Sequence, residues 1–179
     1  MALSATVYHL EIDLSDVDRG VYETLDLRLA LHPSETLAAL VTRAIAYCLS
    51  YEEGIAFSHG LSATDEPAVW VKDLQGNLAL WLDIGSPSAE RLHKASKAAR
   101  RVVVFTHHSP EVLLKQLSGQ KIHRREELDI WALPSRFVDA VASAIGRNTR
   151  VSLVRNEDEL YVTIDERNIT GKIERHKLS

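Results

Sequence analysis

The chain has 179 residues, of which 45% are hydrophobic, with a formal net charge of −4 and one cysteine, Cys48. That is enough apolar material for a buried core. The charge argues against a generally basic nucleic-acid binder, and one cysteine rules out both an intrachain disulfide framework and a multi-cysteine zinc site. The N-terminus lacks a basic region followed by an apolar core, and no apolar run is long enough to span a bilayer, so a soluble cytoplasmic protein is expected.

Residues 3–13 and 21–31 alternate apolar and polar side chains, the period of a half-buried strand. Ser15-Asp16-Val17-Asp18-Arg19-Gly20 between them is rich in turn formers, which predicts a hairpin. His32-Pro33-Ser34-Glu35-Thr36 then starts a helix. Ser34 is the natural N-cap, and Glu35 suits the first turn. Leu37, Val41, Ala44, Ile45 and Cys48 form one apolar stripe at helical spacing, which makes Cys48 a core residue, and Gly54 is the stop signal.

After a weak strand candidate over residues 55–61 comes the most informative stretch, Asp65 to His108. It reads strand (68–71), turn (Asp73 to Asn77), strand (78–84), helix (87–101), strand (102–106). Both faces of the run from Leu78 to Ile84 are apolar except at Asp83, so the strand belongs inside a sheet. A carboxylate there needs a cation, a donor or water. Glu66 precedes the neighbouring strand, and a hairpin would bring the two acids together. In the helix, Leu92, Ala95, Ser96 and Ala99 make the buried stripe, with Lys94 largely opposite and Arg91 at its flank.

Ser109-Pro110 opens another helix to about Leu117. The charged stretch Lys121-Ile122-His123-Arg124-Arg125-Glu126-Glu127 reads as an exposed loop with internal ion pairs, or as a phosphate contact. A strand over 128–133, a helix to Gly146 and strands over 149–155, 160–165 and 169–173 follow, and the last few residues are expected to fray. His107 and His108 should face opposite ways, and with His93 they read as surface histidines before a zinc site. Trp70, Trp81 and Trp131 read as core or cleft walls. No repeat, linker or composition shift marks a boundary, so residues 1–179 are expected to form one α/β domain.

Several separated motifs occur in one order: Asp18-Arg19; His32-Pro33-Ser34-Glu35-Thr36; Glu66-Pro67 with Trp70; Trp81 and Asp83-Ile84-Gly85; Arg91 with Lys94-Ala95; and Phe105-Thr106. On these the chain resembles the YaeQ family over essentially its whole length. The resemblance implies a variant PD-(D/E)XK, restriction-endonuclease-like core: a mixed sheet flanked by helices, with an extra N-terminal hairpin and C-terminal strands. It also implies a magnesium site in which acids on adjacent strands hold the ion, and the ion activates water and stabilises the phosphate.

Carried onto this sequence, the resemblance makes Glu66 and Asp83 the metal ligands, with Glu35 as a third. Lys94 would replace the lysine usual two residues after the strand acid, where this chain has Gly85, and Arg91 would hold phosphate or pair with an acid. The first acid position also departs, since Ala68 follows Pro67 and Glu66 must serve. Each residue has a plainer reading. Glu35 is also a helix-start acid, Lys94 a solvated lysine, Arg91 a structural ion-pair partner and Asp65 a loop acid. Two functions follow: a magnesium-dependent nuclease acting on nucleic-acid phosphodiesters, or a catalytically silent nuclease-like module that binds nucleic acid or a protein partner.

Overall fold

Alternation places the first hairpin. In the computed structural model, which describes residues 4–59 and 65–178, Leu10, Ile12 and Leu14 of β1 (Thr6–Asp16) are buried, as are Leu25, Leu27 and Leu29 of β2 (Val21–Leu31). Gly20, at φ +65°, turns the chain between them where a side chain would be strained. Part of the expected strand over 55–61 lies outside the described residues.

The chain makes an α/β fold with two mixed sheets and, among the described residues, four α-helices, and it divides into two compact units. The first unit comprises Met1–Leu49 and Leu133–Ile173. It holds α1 (Leu37–Leu49), α4 (Ser135–Ala144) and a five-stranded sheet. β8 (Asn148–Asn156), β9 (Glu159–Ile164) and β10 (Arg167–Lys172) join the hairpin in the order β10-β9-β8-β1-β2. Only β1 and β8 run parallel in it. The single mixed sheet expected from the sequence is therefore two sheets. The N-terminal hairpin and the C-terminal strands complete each other, because β1 pairs along both of its edges.

The second unit comprises Ser50–Ala132 and Glu174–Ser179. Its six strands are β3 (Ile55–Phe57), β4 (Val69–Lys72), β5 (Leu78–Ile84), β6 (Ala99–Thr106), β7 (Asp129–Ala132) and β11 (Glu174–Lys177), in the order β11-β7-β6-β5-β4-β3. β5, β6 and β7 are parallel. The interior placement expected for β5 is observed. α2 (Ala89–Ala98) buries Leu92, Ala95 and Ser96, and α3 (Pro110–Leu117) buries Leu113 and Leu117. These leucines and Ala95 share one core with Trp81, Val104 and Ile130.

Four local expectations change. The helix expected over 87–101 ends at Ala98, and Ala99 to Arg101 begin β6. Thr36, not Ser34, caps α1: its hydroxyl accepts from the Ala39 N–H at 3.1 Å, so Glu35 precedes the first turn. α1 stops at Leu49, and Gly54 (φ +89°) belongs to the approach to β3, where a Cβ would lie 2.9 Å from the Lys72 carbonyl oxygen. Residues 174–178 do not fray, because β11 pairs with β7 and Leu178 is buried.

Candidate functional site

Asp83 is the sixth of the seven residues of β5 and is 3% exposed. The chain leaves the strand at Gly85, whose φ of +91° suits glycine and disfavours any L side chain, although nothing would obstruct a Cβ there. A lysine at position 85 would thus be strained, and it would no longer follow the strand line of Asp83. Ser88 then caps α2, its hydroxyl accepting from the Arg91 N–H. This tight return brings the first turn of α2 back over the end of β5.

Arg91 is the residue that return delivers. Its Nε donates to Asp83 Oδ2 at 2.8 Å and its Nη2 to Asp83 Oδ1 at 3.0 Å, a bidentate pair. Nη2 also donates to the Glu66 carbonyl oxygen at 2.7 Å. The hydrogen bonds to Asp83 raise the Arg91 pKa above the ordinary guanidinium value, against the effect of burial, and the charges of Asp83 and Asp65 add to the rise. The guanidinium lies 5.5 Å from the centre of the Trp81 ring. So the partner that a mid-sheet acid requires is an arginine eight residues later.

The other candidates are placed differently. The Glu66 carboxylate turns toward His59, accepting from its backbone N–H at 3.2 Å with the ring nitrogen at 3.4 Å. Glu35 belongs to the first unit. Its side chain is 7% exposed, 3.3 Å from Arg43 Nη2, and neither carboxylate oxygen receives a hydrogen bond among the described residues. Burial pushes its carboxyl above the usual range, outweighing Arg43 and His32. Lys94 is 75% exposed, opposite the buried stripe as its spacing indicates, and 3.4 Å from Glu90.

A cleft of about 410 Å³ opens along this edge, lined by Asp65, Trp81, Ser88, Glu90, Arg91 and Lys94. Magnesium needs oxygen ligands in near-octahedral array. Here both oxygens of Asp83 face a guanidinium, and the Glu66 carboxylate points to His59. This arrangement does not fit a magnesium ion shared by Glu66 and Asp83. Among the described residues no group of three or more histidine, cysteine or acidic side chains is arranged to hold a metal.

Sequence reasoning missed the work of Arg124 and Arg125. Arg124 donates to the carbonyls of Ser96, Ala99 and Arg100, closing the end of α2. Arg125 donates to Gln120 and Leu117 at the end of α3. Orphan carbonyls at helix ends attract cations, and the signal was two arginines a few residues past a helix stop. His107 and His108 do not diverge, since their ring centres are 4.1 Å apart just past β6. Trp81 is a buried cleft wall and Trp131 stacks on Phe105, as expected of walls. Cys48 is fully buried in α1, which pushes its thiol pKa up.

The profile of the YaeQ protein family matches residues 1–173. The chain belongs to the YaeQ family. It is 29% identical over 170 residues to YaeQ of Escherichia coli (strain K12), covering 94% of each chain, and 34% identical over 134 residues to YaeQ of Salmonella typhi, covering 74% of each. Among solved structures it resembles YaeQ from Xanthomonas axonopodis pv. citri, with a TM-score of 0.90 and 31% identity over 98% of this chain and 100% of that one. YaeQ from Pseudomonas syringae matches with a TM-score of 0.86 and 30% identity over 98% and 97%. The YaeQ match runs through both units, so the interleaved chain path goes with the family. No helix among the described residues is long and apolar enough to cross a membrane.

Proposed function

We propose that this YaeQ-family protein is a nuclease-like module that binds nucleic-acid phosphodiesters without cutting them. In this reading the second unit is a variant of the restriction-endonuclease-like core in which an arginine takes the place of the metal. The observation that carries it is the bidentate Arg91–Asp83 pair. A magnesium ion could engage Asp83 only by displacing a guanidinium from a carboxylate that is 4% exposed. Breaking such a buried pair costs about 3–5 kcal/mol, which weakens metal binding by about two to four orders of magnitude.

A cationic side chain at the cleft supports the binding half of the reading. Lys94 pairs with Glu90, four residues earlier on an exposed helix face. Such a pair is worth about 0.3–0.5 kcal/mol and yields readily to a phosphate. The Arg91 charge is paired with Asp83 and the cleft also carries Asp65 and Glu90, so Lys94 is the cation this reading relies on, with Trp81 as an apolar wall.

The test uses labelled single-stranded DNA, duplex DNA and RNA with the purified full chain. Binding by fluorescence anisotropy is expected in chelator, weakening as salt rises, and reduced in Lys94→Met. No cleavage is expected with magnesium or manganese. Magnesium-dependent cleavage that disappears in Asp83→Asn would overturn the silent reading in favour of a nuclease using Asp83 and Lys94. Absence of binding to all three nucleic acids would overturn both.

A further inference from the structure

The loop from Lys121 to Arg125 is fastened to α2, and what it presents there is positive. The Ser96 hydroxyl donates to the His123 carbonyl oxygen at 2.5 Å, and Ile122 is buried between exposed Lys121 and exposed His123. Arg124 adopts a left-handed conformation, φ +50°, and its guanidinium reaches the Ser96 carbonyl in the last turn of α2 and the Ala99 and Arg100 carbonyls at the start of β6. A non-glycine residue holds that conformation only where its surroundings over-determine it. The presentation of Lys121 and His123 is therefore preset.

Those two residues meet the exposed side of α2. The His123 N–H donates to His93 Nδ1 at 3.0 Å, so the neutral His93 ring carries its proton on Nε2 and is a donor there. The two imidazoles stand nearly perpendicular, with centres 6.5 Å apart. Lys97 lies one helical turn beyond His93, on the same face. Desolvation first, then the charges of Lys97, Lys121 and His123, holds the His93 pKa below the usual imidazole value. Desolvation favours no ion, but the nearby Lys97 and Lys121 charges are ones that an anion would meet favourably. Of the acids on α2 and at the end of the loop, Glu90 pairs with Lys94 and Glu127 with Arg124, while Glu126 is exposed. This local field stands against a chain of formal net charge −4.

We infer that His93 and Lys97 of α2, with Lys121 and His123 of the loop fixed beside it, form a contact surface for the phosphate backbone of nucleic acid, continuing the path of a strand from the cleft at Lys94. The inference rests on the nucleic-acid reading above and extends it to a second set of residues. Lys94 and Lys97 are three residues apart on α2, hence neighbours on its surface. The contacts carry charge and no base recognition, so they act alike on every sequence.

The experiment measures affinity for the same three labelled nucleic acids across a salt series, in chelator. It compares the parent, the double variant Lys97→Ala/Lys121→Ala, Lys94→Met, and Lys115→Ala as an exposed control elsewhere in the same unit. Each lost phosphate contact lowers the slope of log affinity against log salt by about 0.7–0.9, so the double variant should lose about 1.5 and bind all sequences more weakly. Lys115→Ala should match the parent. Thermal melting of each variant establishes that it is folded, since exposed lysines contribute little to stability. If the parent binds, Lys94→Met weakens it, and the double variant keeps parental affinity and slope, the surface is overturned while the cleft reading stands. If the parent binds none of the three, both fall.

Discussion

Replacing Arg91 with methionine should destabilise the protein by about 3 kcal/mol. The side chain makes two charge-assisted hydrogen bonds to Asp83, of 2.8 and 3.0 Å, and one to the Glu66 carbonyl. Methionine retains part of the length and removes all three. Asp83, with a side chain 4% exposed, would then be a buried carboxylate without its cation. Such truncations cost about 3–5 kcal/mol. The Arg91 side chain is 29% exposed, so water can enter from its side and the lower end applies. In urea, with a slope of about 2 kcal/mol/M, the midpoint followed by tryptophan fluorescence should fall by about 1.5 M. A double-mutant cycle with Asp83→Asn should return a coupling of about 2 kcal/mol. A coupling below about 0.5 kcal/mol would show the pair to be a solvated surface contact and remove the support for an arginine in place of a metal.

Other perturbations test neighbouring claims. Glu35→Gln should match or exceed parental stability at pH 7 and lose the advantage near pH 4.5. Burial raises the folded carboxyl, so the parent gains stability as the pH falls through that range and the variant does not; a parent with no such gain would contradict the burial. Asp16→Ala should cost about 3 kcal/mol by denaturant midpoint, because its fully buried carboxylate lies 3.5 Å from Arg155 and 3.8 Å from Arg19; a loss within 0.5 kcal/mol, roughly that of a surface change, would deny the network. Gly171→Ala should cost about 1–3 kcal/mol, since its Cβ would lie 2.6 Å from the buried Phe137 ring, and Phe137→Leu in the same chain should recover part of the loss. Magnesium should leave the parental melting temperature unchanged, and a rise that Asp83→Asn abolishes would restore the metal site.

What the sequence determined by itself was local. Period-two alternation marked β1 and β2, a run apolar on both faces marked β5, and the apolar stripe marked α2 with Lys94 outward. These patterns depend only on which face of one element is buried. The need of Asp83 for a partner was equally legible, because an acid in a strand apolar on both faces cannot stay unpaired. Arg91 was legible as one candidate for that partner. Only the tertiary structure chose it, because the choice depends on the turn at Gly85 and on the Ser88 cap that swings α2 back over the strand end. Pairing of β1 with β8, which divides the strands into two sheets, joins residues about 140 apart and leaves no trace in local spacing. The same holds for β11 against β7 and for Arg124 on the carbonyls of α2. A short polar segment has no period to read, and its conformation is fixed by backbone groups elsewhere that it satisfies.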